Sequence, residues 1–482
     1  MERVKKPKES AMQAEGLVSM PAGLFVEVLG SIPADVWGGV WVPERTIMLR
    51  KASKAVQETM DKMMLPVVVR GNRWFWFHSR GSCDERWGFI LQQLLALAGR
   101  SSITTLELLC GADVDVGGLA GVLALCPGLA QLHMHSNGML GAAGIGLVAG
   151  MLGRVRQLTH LALRRNGMGV EGVRQLAAVL FLLPGLARVD VSCNEIGAEG
   201  VRALAPALAL CPALSHVDVS SNLIGVEGGK SLGGVLRQCA VLTHLNVADN
   251  GVTELDGLAG GLVECASLTH VNLANNELSE DGTDMLVAVL ACCRLQFLDL
   301  KNCVRASSVA RGLGLCTSLT ELRMHYNGIN GPGAVEYARA LQGCTGLARL
   351  DLRGNSFNMH ATLGLSALLP QYASLAELSL PFNSIRVVGA SVLLTAAGAC
   401  AALRRIDLES NYIRDDYKVW PRSSELSPSF SVSFVELLDV LRGCTTLERL
   451  NLKYNDFSEE GAERLLASWG GRAGGLACGA RL

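Results

Sequence analysis

The sequence predicts a right-handed α/β solenoid, with a parallel β-sheet along its concave face and helices along its convex face. Three observations predict it. First, an L-x-x-L-x-L-x-x-N pattern recurs, with its Asn slot filled at Asn137, Asn166, Asn194, Asn222, Asn250, Asn276, Asn327, Asn355, Asn383, Asn411 and Asn455; Cys303 fills it once and Gly111 once, in a degenerate first copy. Successive slots lie 26, 29, 28, 28, 28, 26, 27, 24, 28, 28, 28 and 44 residues apart. Second, apolar residues follow each slot at helical spacing, as at Val201, Leu204, Ala205, Leu208 and Cys211. Third, one such unit cannot bury its apolar face alone, so neighbouring units must stack.

Each position in the unit has a physical reason. Leu186, Val189 and Val191 face the core from a short strand and the bend before it. The Asn side chain bonds backbone groups at the turn, where no sheet partner exists. Gly197 and Gly225 then permit a tight turn before the helix. A long helical unit of this kind resembles the ribonuclease-inhibitor-like class of leucine-rich repeats, and the resemblance covers residues 101 to about 470. It implies an open horseshoe of 13 units.

Composition narrows the function. A net charge of -1 gives no support for a nucleic-acid or acidic-membrane partner. No apolar stretch reads as a membrane span, and residues 1–10 lack the apolar centre of a signal peptide. Of the 15 cysteines, Cys126, Cys211, Cys239, Cys265, Cys292, Cys316, Cys344, Cys400 and Cys444 stand three residues before the next unit's first Leu. Val155, Leu183 or Tyr372 fills that slot elsewhere, so buried free thiols are expected there. An odd total with no C-x-x-C pair favours a reducing compartment, hence the cytoplasm. The basic cluster Arg3, Lys5, Lys6 and Lys8 reads as a solvated tail, with a nuclear signal as the other reading.

In chain order, residues 1–19 read as a flexible tail and 20–62 as a small helical segment without the repeat. That segment resembles an F-box. Met20 and Pro21 stand where the family opens, Leu24 and Leu29 follow at helical spacing, Ile32 and Pro33 match the break before its second helix, and Leu49 lies in its later stretch. Val56 occupies a position usually held by Trp, and 37–47 is longer than usual. The resemblance implies docking on a Skp adaptor and cullin scaffold through Met20, Pro21, Leu24, Leu29, Ile32, Pro33 and Leu49. The other reading is a helical lid on the solenoid.

Residues 63–100 read as an N-terminal cap, with an edge strand at Val67, Val68 and Val69 and an aromatic knot at 74–77. Residues 101–470 carry the repeats. Residues 415–432 form a loop insertion bearing Tyr417 and Trp420, 459–469 a closing helix, and 471–482 a disordered tail.

Strand alternation turns the third, fifth and seventh positions of the pattern toward the concave face. The candidate partner-binding residues are therefore His160, Arg188, Asp190, His216, Asp218, His244, His270, Asp299, Arg323, Arg349, Asp351, Arg405 and Asp407, joined by Tyr326 in the eighth position and by Tyr417 and Trp420 on the loop. Seven of the nine histidines fall on this face. A metal at His216, His244 and His270 would need converging ligands, and a flat ladder does not converge, so no metal is expected. The G-x-G-x-x-G run at Gly167, Gly169 and Gly172 would suggest a dinucleotide, but sibling units carry glycine in the same slots, so no cofactor is expected. No catalytic set stands out.

The expected function is protein recognition without catalysis, with the SCF-type ubiquitin-ligase substrate-recognition role implied by the F-box resemblance. The rival readings are a free-standing scaffold, a NOD-like sensor or regulator, and a Ran-type GTPase-activating protein, whose family carries an acidic C-terminal segment missing here.

Overall fold

The three-residue strands at the heart of each repeat put one side chain inward and two outward. In the computed structural model the middle residue is Leu, Val or Ile throughout, and it is buried. The structure describes residues 67–70, 104–109, 121, 123, 126–135, 140–303, 309–415, 434–470 and 475–478. The chain divides between Asn222 and Leu223 into two compact units.

Unit 1 holds strands β1 (Val67–Arg70), β2 (Thr105–Leu109), β3 (Gln131–His135), β4 (His160–Ala162), β5 (Arg188–Asp190) and β6 (His216–Asp218). Its helices include α1 (Gly141–Leu152), α2 (Gly169–Leu180) and α3 (Gly197–Ala209). The valines at 67–69 do form a strand, which pairs antiparallel with β2. From β2 onward every pairing in the unit is parallel and in sequence order, with Leu161 opposite Val189 and Val189 opposite Val217.

Unit 2 begins with α4 (Gly225–Leu236). It continues through β7 (His244–Asn246), α5 (Leu258–Glu264), β8 (His270–Asn272), α6 (Glu280–Cys292), β9 (Phe297–Asp299) and α7 (Ala310–Leu313). Next come β10 (Glu321–Arg323), α8 (Gly331–Leu341), β11 (Arg349–Asp351), α9 (Met359–Leu368), β12 (Glu377–Ser379) and α10 (Arg386–Ala399). The unit closes with β13 (Arg405–Asp407), α11 (Phe434–Gly443), β14 (Arg449–Asn451), α12 (Glu459–Trp469) and β15 (Leu476–Ala477). Its strands are parallel and in sequence order, and their middle residues align as Leu245, Val271, Leu298, Leu322, Leu350, Leu378, Ile406, Leu450 and Leu476. The alternation of strand and helix around a stacked core is the α/β solenoid expected from the sequence.

The Asn column stitches repeat to repeat. In unit 1 the Asn166 N–H donates to Asn194 Oδ1 at 2.9 Å, and the Asn194 N–H to Asn222 Oδ1 at 2.8 Å. Asn194 Nδ2 also donates to Leu163 O and Val191 O, both at 2.8 Å. Unit 2 repeats this from Asn250 to Asn276 and from Asn327 through Asn355 to Asn383. Even across the 44-residue interval, the Asn411 N–H donates to Asn455 Oδ1 at 2.7 Å. Buried amides must be paired somewhere; here the backbone N–H of these asparagines is paired by the next repeat, and the Asn194 side-chain amide by its own and the preceding one.

Helix starts use the neighbouring repeat as well. Gly197 and Gly225 stand at φ +58°, and their N–H groups donate to the carbonyls of Asn222 and Asn250 at 3.0 and 2.9 Å. Elsewhere a conventional cap serves: Ser279, Asn358 and Ser458 accept from the amides of Gly282, Ala361 and Gly461. Not all the glycine excess lies at corners. A Cβ on Gly233 or Gly261 would collide with the backbone of the facing helix, so α4 and α5 pack against each other there through bare backbone.

Cys126, Cys211, Cys239, Cys265, Cys316, Cys344, Cys400 and Cys444 are buried. The slot does more than fill space. Thiols reach carbonyls of the preceding repeat's helix as further donors: Cys211 Sγ lies 3.7 Å from Leu180 O, Cys344 Sγ 3.1 Å from Leu313 O, and Cys444 Sγ 3.0 Å from Leu394 O, while Leu180 O and Leu313 O also accept the amides of Leu183 and Cys316. Tyr372 in the same slot donates its hydroxyl to Ala338 O at 2.6 Å. Burial pushes the Cys344 thiol up to about 12, so it stays protonated and able to donate.

Cys292 departs from expectation: it is exposed. Helix α6 ends at Cys292, and Cys293 takes an extended backbone that turns its own Sγ to Leu262 O at 3.4 Å. The one-residue shift hands the donor role to the neighbour.

The C-terminal segment also differs from the expected disordered tail. Residues 476–477 add β15 to β14, with Leu450 N–H donating to Gly475 O at 2.7 Å. A Cβ on Gly475 would collide with Glu448 O, so glycine is what lets this last strand close on the sheet. The F-box-like residues 20–62, the aromatic knot at 74–77 and nearly all of the 415–432 insertion lie outside the described residues. The N-terminal foot of that insertion is anchored. Arg414 pairs with Asp456 at 2.8 Å, and the Asp415 carboxylate accepts from Ser458 N at 3.2 Å and from Ser458 Oγ.

Candidate functional site: the outer face of the sheet

Seven of the nine histidines stand on or directly after the strands, where alternation turns them to the open face of the sheet. In unit 1, His133 and His135 are half-buried with ring centroids 5.8 Å apart. His160 and His216 are half-buried, and the hydroxyl just before each lies on its Nδ1: Thr159 at 2.7 Å and Ser215 at 2.8 Å. Those hydroxyls spend their hydrogens on the carbonyls of Ala130 and Ala187. They must therefore accept from Nδ1–H, which makes Nδ1 the protonated nitrogen of the neutral ring. Burial, and next the charge of Arg188, hold His160 below its ordinary value; burial does the same to His133.

Unit 2 repeats the motif at Thr243–His244 and Thr269–His270, both at 2.8 Å. Here the rings stack. His244 and His270 lie 3.9 Å apart and nearly parallel, Phe297 follows at 5.7 Å, and the Arg323 guanidinium covers the Phe297 ring at 4.9 Å. Burial lowers His270, against the opposing pull of Glu321.

Beyond Phe297 the face becomes ionic. Arg323 contacts Glu321 at 2.6 Å and Asp299 at 3.8 Å. Arg349 lies between Glu321 and Glu377, 3.5 Å from each, and Arg405 reaches Glu377 at 3.8 Å. His325 Nε2 lies 2.8 Å from Asp351 Oδ2. Burial would raise Asp351, but the His325 ring against it holds the carboxyl below its usual range. Between β12 and β15 the surface dips into an open depression of about 310 Å³ lined in part by Glu377, Arg405, Asp407 and Arg449.

The aspartates have a second employment that pattern reading missed. Oδ1 of Asp190, Asp218, Asp299, Asp351 and Asp407 each accepts the N–H two residues on, at 2.9 to 3.1 Å. Asn246, Asn272 and Asn451 do the same. This Asx turn ends each strand and bends the chain toward the Asn ladder. The alternation of Asp with Asn in this slot was the available signal, since both share an acceptor oxygen but only one a charge. Asp299 is 7% exposed. Burial raises both Asp299 and Asp407.

Of the remaining candidates, Arg188 is exposed beside half-buried Asp190. Tyr326 lies on the rim, with its backbone at φ 54°. Tyr417, Trp420, Met20, Pro21, Leu24, Leu29, Ile32, Pro33 and Leu49 lie outside the described residues. Among the described residues, no three His, Cys, Asp or Glu side chains gather as around a metal, and no helix is long and apolar enough to cross a membrane. In the G-x-G-x-x-G run, a Cβ on Gly172 would lie 2.8 Å from Met168 Cβ and 3.2 Å from Ala142 Cα. That glycine serves close packing of α2 on α1.

A family model described as Leucine Rich repeat matches residues 156–177, 186–205, 211–233, 315–336 and 443–466. The chain carries leucine-rich repeats. Each matched segment spans a strand or the turn before it and runs into a helix, which agrees with the repeat seen in the coordinates. No curated protein matches the chain. Among solved structures, the chain is similar to an internalin (inlF) from Listeria monocytogenes at 16% identity and a TM-score of 0.43, covering 70% of this chain and 92% of that one.

Proposed function

We propose that the protein is a recognition scaffold whose ionic sheet face in unit 2 binds another protein. Leucine-rich repeats are typically binding scaffolds, and the 28-residue helical unit supports the ribonuclease-inhibitor-like subclass. The observation that carries the reading is the strip from Glu321 to Arg405. Arg349 is 59% exposed yet shared between two carboxylates. Exposed pairs of this kind contribute little to stability, about 0–1 kcal/mol. Charges fixed in register on an open face serve orientation and specificity of docking instead. Core thiols that act as donors favour a reducing compartment, so the cytoplasm is the proposed site of action.

The experiment is affinity capture with the intact protein, followed by mass spectrometry. Arg349→Glu should lose the captured partner with an unchanged melting temperature, while Glu336→Arg on α8 should retain it. The reverse result would move the binding surface to the helices. The finer reading is delivery of that partner to an SCF-type ubiquitin ligase through residues 20–62, supported by the F-box-like positions Pro21, Leu24, Ile32 and Leu49. Wild type should then co-purify with the Skp adaptor, and Leu24→Asp should not. If the adaptor is never captured, the free-standing scaffold is the reading that stands.

A further inference from the structure

The first residue of each short strand in unit 2 stands on the open face, and in-register pairing sets these residues in a row. From β10 to β14 the row reads Glu321, Arg349, Glu377, Arg405, Arg449. Charge alternates along the first four, and each cation meets a carboxylate on a neighbouring strand. Arg349 meets Glu321 and Glu377, and Arg405 meets Glu377. The alternation breaks at the last step. Arg405 and Arg449 stand directly opposite each other, and like charges so placed repel.

The other charged groups on this part of the face are engaged. His325 lies against Asp351, and the Arg353 guanidinium covers the Phe382 ring at 4.8 Å. Asp407 accepts the Glu409 N–H at 3.0 Å, and the Glu409 carboxylate accepts from Asn451 Nδ2 at 3.0 Å. The cations after β13 differ. Arg449 and Lys453 are exposed, and among the described residues neither side chain meets a carboxylate.

Beyond β14 the sheet steps down. Leu476 aligns with Leu450 and Ala477 with Asn451, which sets Gly475 beside Arg449. Where earlier strands carry charged side chains, this one offers a hydrogen and a methyl. The open depression of about 310 Å³ lies here, and Arg405, Arg449, Asn451, Gly475 and Ala477 are among its lining residues. A Cβ on Gly475 would collide with Glu448 O, so the step comes with the closure of the sheet. The row of charges thus ends on an unmatched arginine, and the strand beside it supplies no carboxylate.

We propose that this step at the C-terminal end of the sheet receives an acidic segment of a partner protein. Its carboxylates pair with Arg449 and Lys453, and its chain rests over Gly475 and Ala477. One such carboxylate relieves the repulsion between Arg405 and Arg449, as Glu377 does between Arg349 and Arg405. A single exposed ion pair is worth little. The depression supplies contact area beside the charges, so shape and charge select together. The proposal rests on the reading of the protein as a recognition scaffold and names the chemistry of its partner.

The test uses the full-length chain and a fluorescent peptide of alternating Ser and Glu, followed by anisotropy. It should bind at least about tenfold more tightly than Ser-Gln or Ser-Lys peptides of equal length. Arg449→Gln should weaken it by about tenfold or more while holding or raising the melting temperature, because the variant removes a like-charged neighbour. Ala477→Phe, which fills the depression and leaves every charge in place, should weaken it as well. Arg237→Gln, the same change on the exposed end of α4, should not. Equal binding of the Ser-Gln peptide, or full binding by Arg449→Gln or by Ala477→Phe, would each overturn the proposal. So would displacement of the peptide by inorganic phosphate at equal concentration, since the site would then take a small anion. A concentration-dependent dimer that Arg449→Gln dissolves would overturn it too, since a second copy would then supply the carboxylates. The Arg349→Glu capture experiment reads the sheet face without this peptide, so either reading can fail without the other.

Discussion

Asn355 and Arg349 stand six residues apart in one repeat. Asn355 is wholly buried. Its Oδ1 accepts from the amides of Asn327 at 2.8 Å and Ile329 at 3.3 Å, and its Nδ2 donates to Met324 O at 2.6 Å and Leu352 O at 3.1 Å. Arg349 is open to solvent and loosely shared between two carboxylates. The inner column joins repeats through uncharged bonds that water cannot replace. The outer face joins them through ionic contacts that water and salt can replace. Recurrence of a residue type therefore means different things in the two places. In the Asn column it reports a shared structural task; on the face, changes of type from histidine to arginine and glutamate mark a surface free to vary.

Asn355→Ala tests the inner side of this contrast most severely. It leaves buried amides and carbonyls without partners, and should lower stability by about 3 kcal/mol in urea titration. A loss below about 1 kcal/mol would mean that the ladder is not what joins the repeats. Cys303 offers a gain instead. It occupies an Asn slot, where its N–H donates to Asn327 Oδ1 at 2.9 Å while burial pushes its thiol up to about 12. Cys303→Asn restores an amide there, and should raise stability by about 1 kcal/mol.

The histidine strands should respond to acid. His133, His160 and His270 are lowered in the fold, so the unfolded chain takes up protons first as pH drops below 6.5. Stability contributed by the neutral rings is present above that pH and lost as pH falls toward the folded values. Asp299 and Asp407 have raised values and act with the opposite sign, favouring the fold as they take up protons near the carboxylate range. Melting temperatures followed from pH 7.5 to 5 should fall, and His270→Gln should flatten the curve. An unchanged slope in that variant would remove His270 from the account. Arg405→Ala should have the smallest effect, under about 0.5 kcal/mol, because its contact with Glu377 is long and exposed. A larger loss would make the ionic face structural and erase the contrast.

Much of the fold was legible because the repeat is written many times. Slot spacing located the strands and the closing helix at Glu459–Trp469. The face bearing the histidines followed from alternation alone. The site was legible in its membership but not in its roles. The aspartates read as surface charges, yet each gives one oxygen to an amide two residues on. Cys292 read as core, yet α6 runs on through it, and Cys293, just past the helix end, takes the inward place. The left-handed rim residues left no clue, since Tyr326 and Phe382 occupy a slot where glycine, serine or asparagine would be cheaper.

The sequence by itself determined the period, the apolar slots, the Asn column and the strand–turn–helix order, because these follow from side-chain size and from alternation within a few residues. Only the tertiary structure decided which groups meet across repeats. Cys344 finds Leu313 O at a separation of 31 residues, His244 stacks on His270, and the Tyr326 ring lies over Gly354. Those meetings depend on register between strands about 4.8 Å apart, which no short stretch of chain encodes.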